Sequence, residues 1–393
     1  MSISPSNFYD FNYESLNKFI VDHYSMDQKK IGMRTNQLWK FVYKKGLHSV
    51  SEFSNIPADL KENLEKNLSF DRVKIAEKKI SSDGTIKWLI KLADNNLVEA
   101  VFIPSQSRGT LCISSQVGCT LNCKFCHTGT QLMVKNLSTS EIINQILIAK
   151  DELKDWGSQK KITNIVYMGM GEPFYNYENV KQSIAILRNN QGLDYSAKKI
   201  TVSTAGVVPE IINAAKDIGT YLALSLHAPN DELREKIMPI NKKYKIKDLI
   251  ESCAYYAKMN KEKIFLEYVL LKNINDSESC AKQLIKLMSK FPSKLNLIEF
   301  NAWPGVGYEP SSPEVVQKFY QMIKKSGHIV TLRKSRGEDI LGACGQLKTE
   351  SEKKKKIPIK DYILASEGPA KKSPSRLKVI LALLKIRRIT HRP

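Results

Sequence analysis

Three cysteines and a histidine lie within nine residues of the sequence, in the segment CTLNCKFCH at positions 119–127. Cys123, Cys126 and His127 match C-x-x-C-H, the attachment motif of c-type haem, but Cys119 has no place in that motif. Structural zinc usually needs four ligands in two separated pairs, and the sequence contains no second C-x-x-C. Three thiolates on one loop suit a cubane iron–sulfur cluster that leaves one iron open. The spacing therefore favours a catalytic iron–sulfur centre over haem, zinc or an incidental group of cysteines.

The remaining sequence indicates an intracellular protein. The other four of the seven cysteines, Cys112, Cys253, Cys280 and Cys344, are isolated from one another, which is not the pattern of a disulfide scaffold. The first residues show no basic segment followed by an apolar one, so we expect no secretory signal. Apolar runs such as residues 379–384 are too short to span a membrane. We therefore expect a cytoplasmic protein whose thiols stay reduced, which counts against c-type haem.

The chain is strongly basic, with a net charge of +21 and a pI of about 9.5. Residues 351–393 contribute +10 through 13 Lys/Arg and 3 Asp/Glu, which leaves +11 on the first 350 residues. A basic excess outside the tail favours a polyanionic partner, most simply nucleic acid. Solubility alone is the alternative explanation.

The elements that must position the cysteines read as strands alternating with helices from about residue 110. The strand candidates are the apolar segments 110–115, 162–168, 200–204, 221–226, 264–271, 295–300 and 328–332. Ser138 and Glu141 have capping-box spacing and predict the start of the first intervening helix. Strands that alternate with helices indicate a parallel sheet with crossover helices. Six or so units are too few to close an eight-stranded barrel, so we predict an α/β fold with an open, partial barrel.

The first 95 or so residues read differently, as short helices. Leu38, Phe41 and Val42 fall on one helical face, with lysines largely off it. A small basic helical domain could bind RNA phosphates, or it could be a packing module with a solvated face. Residues 85–104 alternate like a hairpin with Asn-Asn at its turn.

Polar residues follow several of the predicted strands. The cysteine segment follows the first strand, and MGMGEP (168–173), Ser203, residues 225–227 and Asn301 stand at the ends of later ones. Taken singly, Ser203 could cap a helix and residue 227 could be a turn histidine. In parallel sheets ligands bind at the carboxyl ends of the strands, so the shared position predicts one cofactor pocket.

The spacing C-x-x-x-C-x-x-C and the segment MGMGEP resemble those of radical S-adenosylmethionine (SAM) enzymes. Further segments narrow the resemblance to the dual-specificity 23S rRNA and tRNA adenine C2-methyltransferases, the RlmN family. These segments are residues 98–104, 111–119, 200–209, 222–231, 301–308 and 333–347. The resemblance implies a partial (β/α)6 radical-SAM barrel in residues 97–350. It also implies a helical, RNA-binding accessory domain in residues 1–96, which includes the start of the hairpin. The tail, residues 351–393, has no counterpart, and we expect it to be flexible.

The resemblance also implies a cofactor site. It assigns Cys119, Cys123 and Cys126 to one [4Fe–4S] cluster, whose open iron binds the amino and carboxylate groups of SAM. It places the other contacts of SAM at Gly171, Glu172, Ser203, Ser225, Leu226, His227 and Asn301. These types suit the task, because glycine lets backbone approach closely, a carboxylate accepts from an ammonium group, and amides and hydroxyls bind ribose or carboxylate. His127 receives no role.

Three further residues acquire roles by the same resemblance. Cys344 carries the methyl group as S-methylcysteine. Cys112 attacks Cys344 and forms a transient disulfide with it. Glu99 takes the proton from carbon 2 of adenine. Cys253 and Cys280 lie in helical patterns and are expected to be packing residues.

The resemblance thus implies an enzyme that uses two SAM molecules to methylate one adenine in 23S rRNA and the adenine next to the anticodon in tRNA. An electron donor such as flavodoxin or ferredoxin would supply the reducing electron, and we expect a monomer. Two alternatives stay open: a relative that methylates carbon 8, and a non-catalytic zinc or cluster module that binds RNA.

Overall fold

The computed structural model describes residues 5–24 and 28–349; the predicted basic tail lies outside these residues. The N-terminal part consists of three helices and one pair of short parallel strands. In chain order these are β1 Ser6–Asn7, α1 Tyr13–His23, α2 Gln28–Tyr43, α3 Ala58–Asn67 and β2 Leu68–Ser69. The predicted apolar face of α2 is buried, since Leu38, Phe41 and Val42 are at most 5% exposed, while Lys40 on another face is exposed.

An antiparallel sheet edge follows these helices. It comprises β3 Lys74–Ile80, β4 Ile86–Lys91 and β5 Leu97–Pro104. The hairpin predicted over residues 85–104 is confirmed as β4 and β5. Strand β3 was not predicted, and the expectation of helices throughout the first 95 residues is wrong there. Its sequence KIAEKKI has no apolar alternation because six of its seven residues are exposed and it pairs on one side only.

The rest of the described chain alternates strands and helices. In chain order the elements are β6 Gly109–Cys112, β7 Gln116–Val117, β8 Lys135–Asn136, α4 Thr139–Leu153, β9 Asn164–Tyr167, α5 Tyr177–Arg188, β10 Ile200–Thr204, α6 Val208–Asp217, β11 Tyr221–Ser225, α7 Asp231–Ile237, α8 Ile246–Asn260, β12 Ile264–Leu270, α9 Glu278–Met288, β13 Ser293–Glu299, α10 Pro313–Lys325 and β14 Val330–Arg333. The seven predicted strands are confirmed, each within a few residues of its expected bounds.

The seven confirmed strands, together with β3, β4 and β5, form one ten-stranded sheet in the order β14-β13-β12-β11-β10-β9-β6-β5-β4-β3. Strands β7 and β8 pair with each other in a separate two-stranded sheet. Neighbours from β6 to β14 are parallel, so every connection between them is a crossover that contains at least one helix. Strands β14 and β3 are the two edges, so the sheet does not close. The predicted open barrel of six βα units is confirmed, with β14 as a seventh parallel strand.

The start of α4 is set by the predicted capping box. The Ser138 hydroxyl accepts from the Glu141 N–H at 3.2 Å, and the Glu141 carboxylate accepts from the Ser138 N–H at 2.9 Å. This fixes the point at which the chain leaves the loop after β6 and enters the helix. Among the described residues, none of the helices combines the length and apolar character needed to cross a membrane.

We predict that Ser138→Ala lowers the free energy of unfolding by about 1 kcal/mol, because the Glu141 N–H loses its acceptor while α4 keeps its packing. Urea denaturation followed by circular dichroism measures the change. Ser196→Ala is the matched control, since Ser196 stands at a helix N-cap without a side-chain cap hydrogen bond. Equal destabilisation by both substitutions would contradict the capping role.

Candidate active site

An open cavity of about 970 Å³ lies at the carboxyl ends of the parallel strands. Residues from all seven parallel strands, β6 and β9 to β14, or from the loops after them line it. They include Cys119, Cys123 and Cys126 after β6; Gly169, Gly171 and Glu172 after β9; Ser203 and Ala205 at β10; Ser225 and His227 at β11; Glu267 and Val269 in β12; and Ile298 and Phe300 at β13. Most of the polar groups predicted at one sheet edge therefore line this cavity; Asn301 does not.

Tight turns bring the three thiols of the cysteine loop, residues 118–131, to this cavity. Gly118 has a φ of +77°, and a Cβ there would lie 2.0 Å from the Leu132 carbonyl oxygen, so only glycine fits. Further along, the Cys126 N–H donates to the Cys123 carbonyl at 3.2 Å. All three cysteines are free of disulfides. Burial raises the pKa of the Cys119 thiol to about 12, so an iron cluster must displace protons when it binds there.

The three thiols fit a cubane cluster better than a single ion. In residues 5–24 and 28–349, no group of three or more His, Cys, Asp or Glu side chains converges as one metal ion would require. Cubane ligands bind separate iron atoms and do not need to converge. The three thiols nevertheless lie near one another. Cys119 and Cys126 are close enough to Cys123 to add to the effect of burial and raise the pKa of Cys123.

A fully buried cation, Arg234 on α7, stands behind this loop. Its guanidinium donates to the carbonyls of Leu226 (3.1 Å), Ala205 (2.6 Å) and Ser225 (3.1 Å), and to the Asn241 side chain (3.1 Å). These bonds tie the ends of β10 and β11 together. Sequence reasoning missed Arg234, because DELREKI reads as an ordinary charged helix and nothing local shows that one arginine faces inward.

The charge of Arg234 acts on the cysteine loop. Burial raises the pKa of Cys123, and Arg234 opposes that rise by favouring the thiolate. Burial in turn lowers the pKa of Arg234 to about 10, so it remains a cation at neutral pH. A cationic group beside three thiolates offsets part of the charge of an anionic iron–sulfur cluster, so these residues fit such a cluster.

Glu172 lines the cavity with its carboxylate already hydrogen-bonded. It accepts from the N–H groups of Phe174 (3.1 Å) and Ala205 (2.7 Å). Burial nevertheless raises its pKa to about 7. The preceding Gly171 has a φ of +96°, and a Cβ there would lie 2.4 Å from the Cβ of Gln116. The glycine is thus required by close packing against Gln116 as well as by any ligand.

His227 lines the cavity with its ring in a fixed tautomer. Its Nδ1 accepts from the Val269 N–H at 3.0 Å, so the neutral ring carries its proton on Nε2. Burial lowers its pKa to about 3, and Arg234 adds to that effect, so the ring stays neutral. Ser203 and Ser225 line the same cavity, whereas the side chain of Leu226 is fully buried and lines neither cavity described here.

A second cavity of about 790 Å³ adjoins the first. Cys112, Asn301 and Cys344 line it, and Cys344 also lines the first cavity. Burial, together with a smaller contribution from the Cys344 thiol, raises the pKa of Cys112 to about 12. Arg333 lines both cavities, and its positive charge opposes that rise. The two isolated cysteines singled out from the sequence therefore line the same cavity, together with a cation, Arg333, that sequence reasoning had given no role.

Glu99 lines neither cavity and is held from two sides. Its carboxylate pairs with Lys87 at 2.8 Å and accepts from the Lys348 N–H at 2.8 Å. Lys87 also donates to the Leu341 carbonyl at 3.1 Å. Burial raises the pKa of Glu99, and the Lys87 ammonium opposes the rise. The Lys87–Glu99 pair thus holds both ends of the segment that carries Cys344.

The Radical SAM superfamily model matches residues 113–282. The chain is 48% identical over 362 residues to the dual-specificity RNA methyltransferase RlmN of Chelativorans sp. (strain BNC1), a match that covers 87% of this chain and 89% of that protein. It is 47% identical over 348 residues to the protein of the same name from Rhizobium meliloti (strain 1021), covering 84% and 85%. The chain belongs to the RlmN family of radical SAM methyltransferases.

A solved structure of a radical SAM methyltransferase agrees with this family. The crystal structure of a radical SAM methyltransferase from Sphaerobacter thermophilus is similar with a TM-score of 0.81 and 34% identity, over 88% of this chain and 99% of that one. As a member of the RlmN family the chain is an enzyme that uses a [4Fe–4S] cluster and SAM. The alternative of a non-catalytic zinc or cluster module is therefore wrong.

We predict that Cys126→Ala removes most of the iron from the anaerobically reconstituted protein, because only two thiolates would then remain to hold a cubane of four iron atoms. Iron per protein and production of 5′-deoxyadenosine from SAM are the measurements. Cys280→Ala is the control, since Cys280 is buried in α9 and should leave both values unchanged. Full iron content in the Cys126→Ala protein would contradict the cluster assignment.

Proposed function

We propose that this protein methylates carbon 2 of one adenine in 23S rRNA and of the adenine next to the anticodon in tRNA, through an S-methylcysteine on Cys344. The observation that carries the proposal is the position of Cys344 at the wall shared by the two cavities, with Cys112 in the lining of the second cavity. A single thiol could serve many reactions, but a pair beside a radical SAM site suits a carrier and a resolving group. The names of the relatives, dual-specificity RNA methyltransferases, support RNA as the substrate.

The target atom explains why a radical route is needed. Carbon 2 of adenine lies between two ring nitrogens and is electron-poor, so it cannot attack the sulfonium methyl group of SAM. The reduced cluster, when bound, supplies a 5′-deoxyadenosyl radical by cleaving SAM. Cys119, Cys123 and Cys126 would hold that cluster, and Arg234 would offset part of its negative charge.

The remaining polar groups of the first cavity suit SAM itself. Glu172 can accept from the ammonium group, and the His227 Nε2–H and the serines Ser203 and Ser225 can donate to carboxylate or ribose oxygens. The backbone of Gly171 can contact the ligand closely. The side chain of Leu226 lines neither cavity and so offers SAM no contact as placed, and Asn301 would reach SAM from the second cavity, whose wall it helps to form.

Cys344 would first accept a methyl group by displacement, since a thiolate is a good nucleophile. Loss of one hydrogen from the S-methyl group leaves a methylene radical on Cys344, which adds to carbon 2 and joins the protein to the RNA. Glu99 takes the carbon 2 proton, and the Cys112 thiolate attacks the Cys344 sulfur. The S–CH2 bond then breaks and the Cys112–Cys344 disulfide forms, while the bond's electron pair stays on the product carbon, which takes a proton and becomes a methyl group. The adduct radical gives up its one surplus electron to the oxidised form of the electron donor, and a reductant later converts the disulfide back to two thiols.

The role of Glu99 requires a rearrangement. Both of its carboxylate oxygens are engaged by Lys87 and by the Lys348 N–H, and it lines neither cavity. Binding of RNA would have to open a path from carbon 2 to this carboxylate. Burial raises the pKa of Glu99 and so favours the protonated product of that step.

The partners follow from this chemistry. Two RNA classes are the proposed substrates, and the basic excess of the chain favours their binding. An electron donor such as flavodoxin or ferredoxin is the proposed reductant. A cytoplasmic monomer is the simplest form for such an enzyme. Residues 1–96 are the proposed accessory RNA-binding domain, ahead of a core in residues 97–350.

We predict that RNA from cells lacking this protein loses one methyl group on an adenine of 23S rRNA and one on the adenine next to the anticodon of tRNA. Fragmentation mass spectrometry of nuclease digests measures both losses, and re-expression of the protein should restore them. A missing 8-methyladenine in place of 2-methyladenine would favour the C8-methylating alternative and contradict the proposal.

We predict that Cys112→Ala traps the enzyme on its RNA, because the carrier still forms the bond to carbon 2 and no thiol breaks it. A nuclease-sensitive shift on a denaturing gel measures the adduct. Cys344→Ala should form no adduct, since it has no carrier, and the double variant should behave like Cys344→Ala. Release of methylated RNA by Cys112→Ala at the wild-type rate would contradict the resolving role.

A further inference from the structure

His127 completes the C-x-x-C-H segment, yet it has no part in the proposed reaction. Its ring lies flat on Trp303, with ring centres 4.4 Å apart and planes 6° apart. Its Nδ1 lies 3.2 Å from the Gln346 carbonyl, an acceptor, so Nδ1 carries the proton of that hydrogen bond. His127 lines neither of the two cavities. Its position therefore argues against a cluster ligand or a catalytic base.

The cysteine loop and the carrier loop, residues 341–349, are joined by a series of hydrogen bonds around this ring. The His127 N–H donates to the Gly345 carbonyl at 2.7 Å, and the Thr128 hydroxyl donates to the Leu347 carbonyl at 2.5 Å. Gln131 exchanges two bonds with Thr349, at 2.7 and 3.2 Å. These contacts begin one residue after Cys344, so they fix its position relative to the cysteine loop.

Trp303 holds the other side of the ring. Its Nε1–H donates to the Phe125 carbonyl at 3.1 Å, which ties it to the cysteine loop. The neighbouring Ala302 carbonyl accepts from the Gln346 side chain at 2.8 Å, and the Asn301 amide donates to the Cys344 carbonyl at 3.3 Å. Segment 301–303 therefore contacts both loops, and the stacked pair of His127 and Trp303 lies where the three segments meet.

We propose that His127 is a positioning residue, which together with Trp303 clamps the carrier loop against the cysteine loop and keeps Cys344 at the wall between the two cavities. The assignment of Cys344 as the methyl carrier rests on the proposed function; the clamp itself does not. His127 and Trp303 are only half-buried, so their replacement should loosen the carrier loop without opening the core. The backbone bond from His127 to Gly345 survives any substitution of the ring.

The test compares His127→Ala, His127→Phe and Trp303→Leu in the reconstituted holoenzyme. His127→Phe keeps a ring that can stack and loses the hydrogen bond to Gln346. His328→Ala is the matched control, because the exposed His328 ring pairs with Ser289, which belongs to neither loop. Three quantities are measured for each: iron per protein, hydrogen exchange of the peptide that spans residues 341–349, and methylated adenine formed per 5′-deoxyadenosine.

We expect full iron content in every variant. Hydrogen exchange in residues 341–349 should be roughly three- to tenfold faster in His127→Ala and Trp303→Leu, and less accelerated in His127→Phe, because each lost contact frees the loop by a modest factor. The yield of methylated adenine per 5′-deoxyadenosine should fall in the same order, since a displaced Cys344 wastes radicals. His328→Ala should match the wild type in all three.

Two results would overturn the inference. One is unchanged exchange and unchanged yield in His127→Ala and Trp303→Leu. The other is loss of iron in both His127 variants, which would make the histidine part of the cluster site. Failure of the proposed function is separate from these, because it would appear as absence of an S-methyl group on Cys344 in the wild-type enzyme. Hydrogen exchange would still test the clamp in that case.

Discussion

The buried guanidinium of Arg234 is the contact on which the cavity geometry depends. A buried charge is costly unless its donors are satisfied, and this one bonds to carbonyls at the ends of β10 and β11 and to Asn241. Within the described residues no carboxylate forms an ion pair with it. The thiolates of a bound cluster would supply the missing negative charge. Binding of the cluster and the shape of the first cavity are therefore coupled through one side chain.

The carrier loop depends on contacts that come from three directions. Lys87 and Glu99 hold its two ends, the cysteine loop holds its middle, and segment 301–303 lies alongside. Glu99 is also the proposed base that takes the proton from carbon 2. The same carboxylate therefore removes the proton and restrains the loop that carries Cys344. Protonation of Glu99 would weaken its attraction to Lys87, which links proton removal to freedom of the loop.

The fold was largely predictable, because parallel strands with helices on their outer side need long apolar runs that stand out in a sequence. Strand β3 was missed because its residues are exposed and its pairing with β4 provides most of its stability. Arg234 and Lys87 were missed for another reason: their partners lie on segments that only the folded chain brings near. Gly171 was identified from the sequence because a glycine lets the backbone approach a ligand closely. The structure adds a second reason, since a Cβ at this position would clash with Gln116. The domain limits, 1–96 and 97–350, remain predictions.

Isotopic labelling of the transferred methyl group tests the central claim most directly. SAM with three deuterium atoms on its methyl group would be supplied to the reduced enzyme with unmethylated RNA for several turnovers. If Cys344 carries the methyl group and gives up one hydrogen before it bonds to carbon 2, the product methyl group holds two deuterium atoms and 5′-deoxyadenosine holds the third. Mass spectra that show all three deuterium atoms in the RNA methyl group would mean direct transfer and would contradict the account.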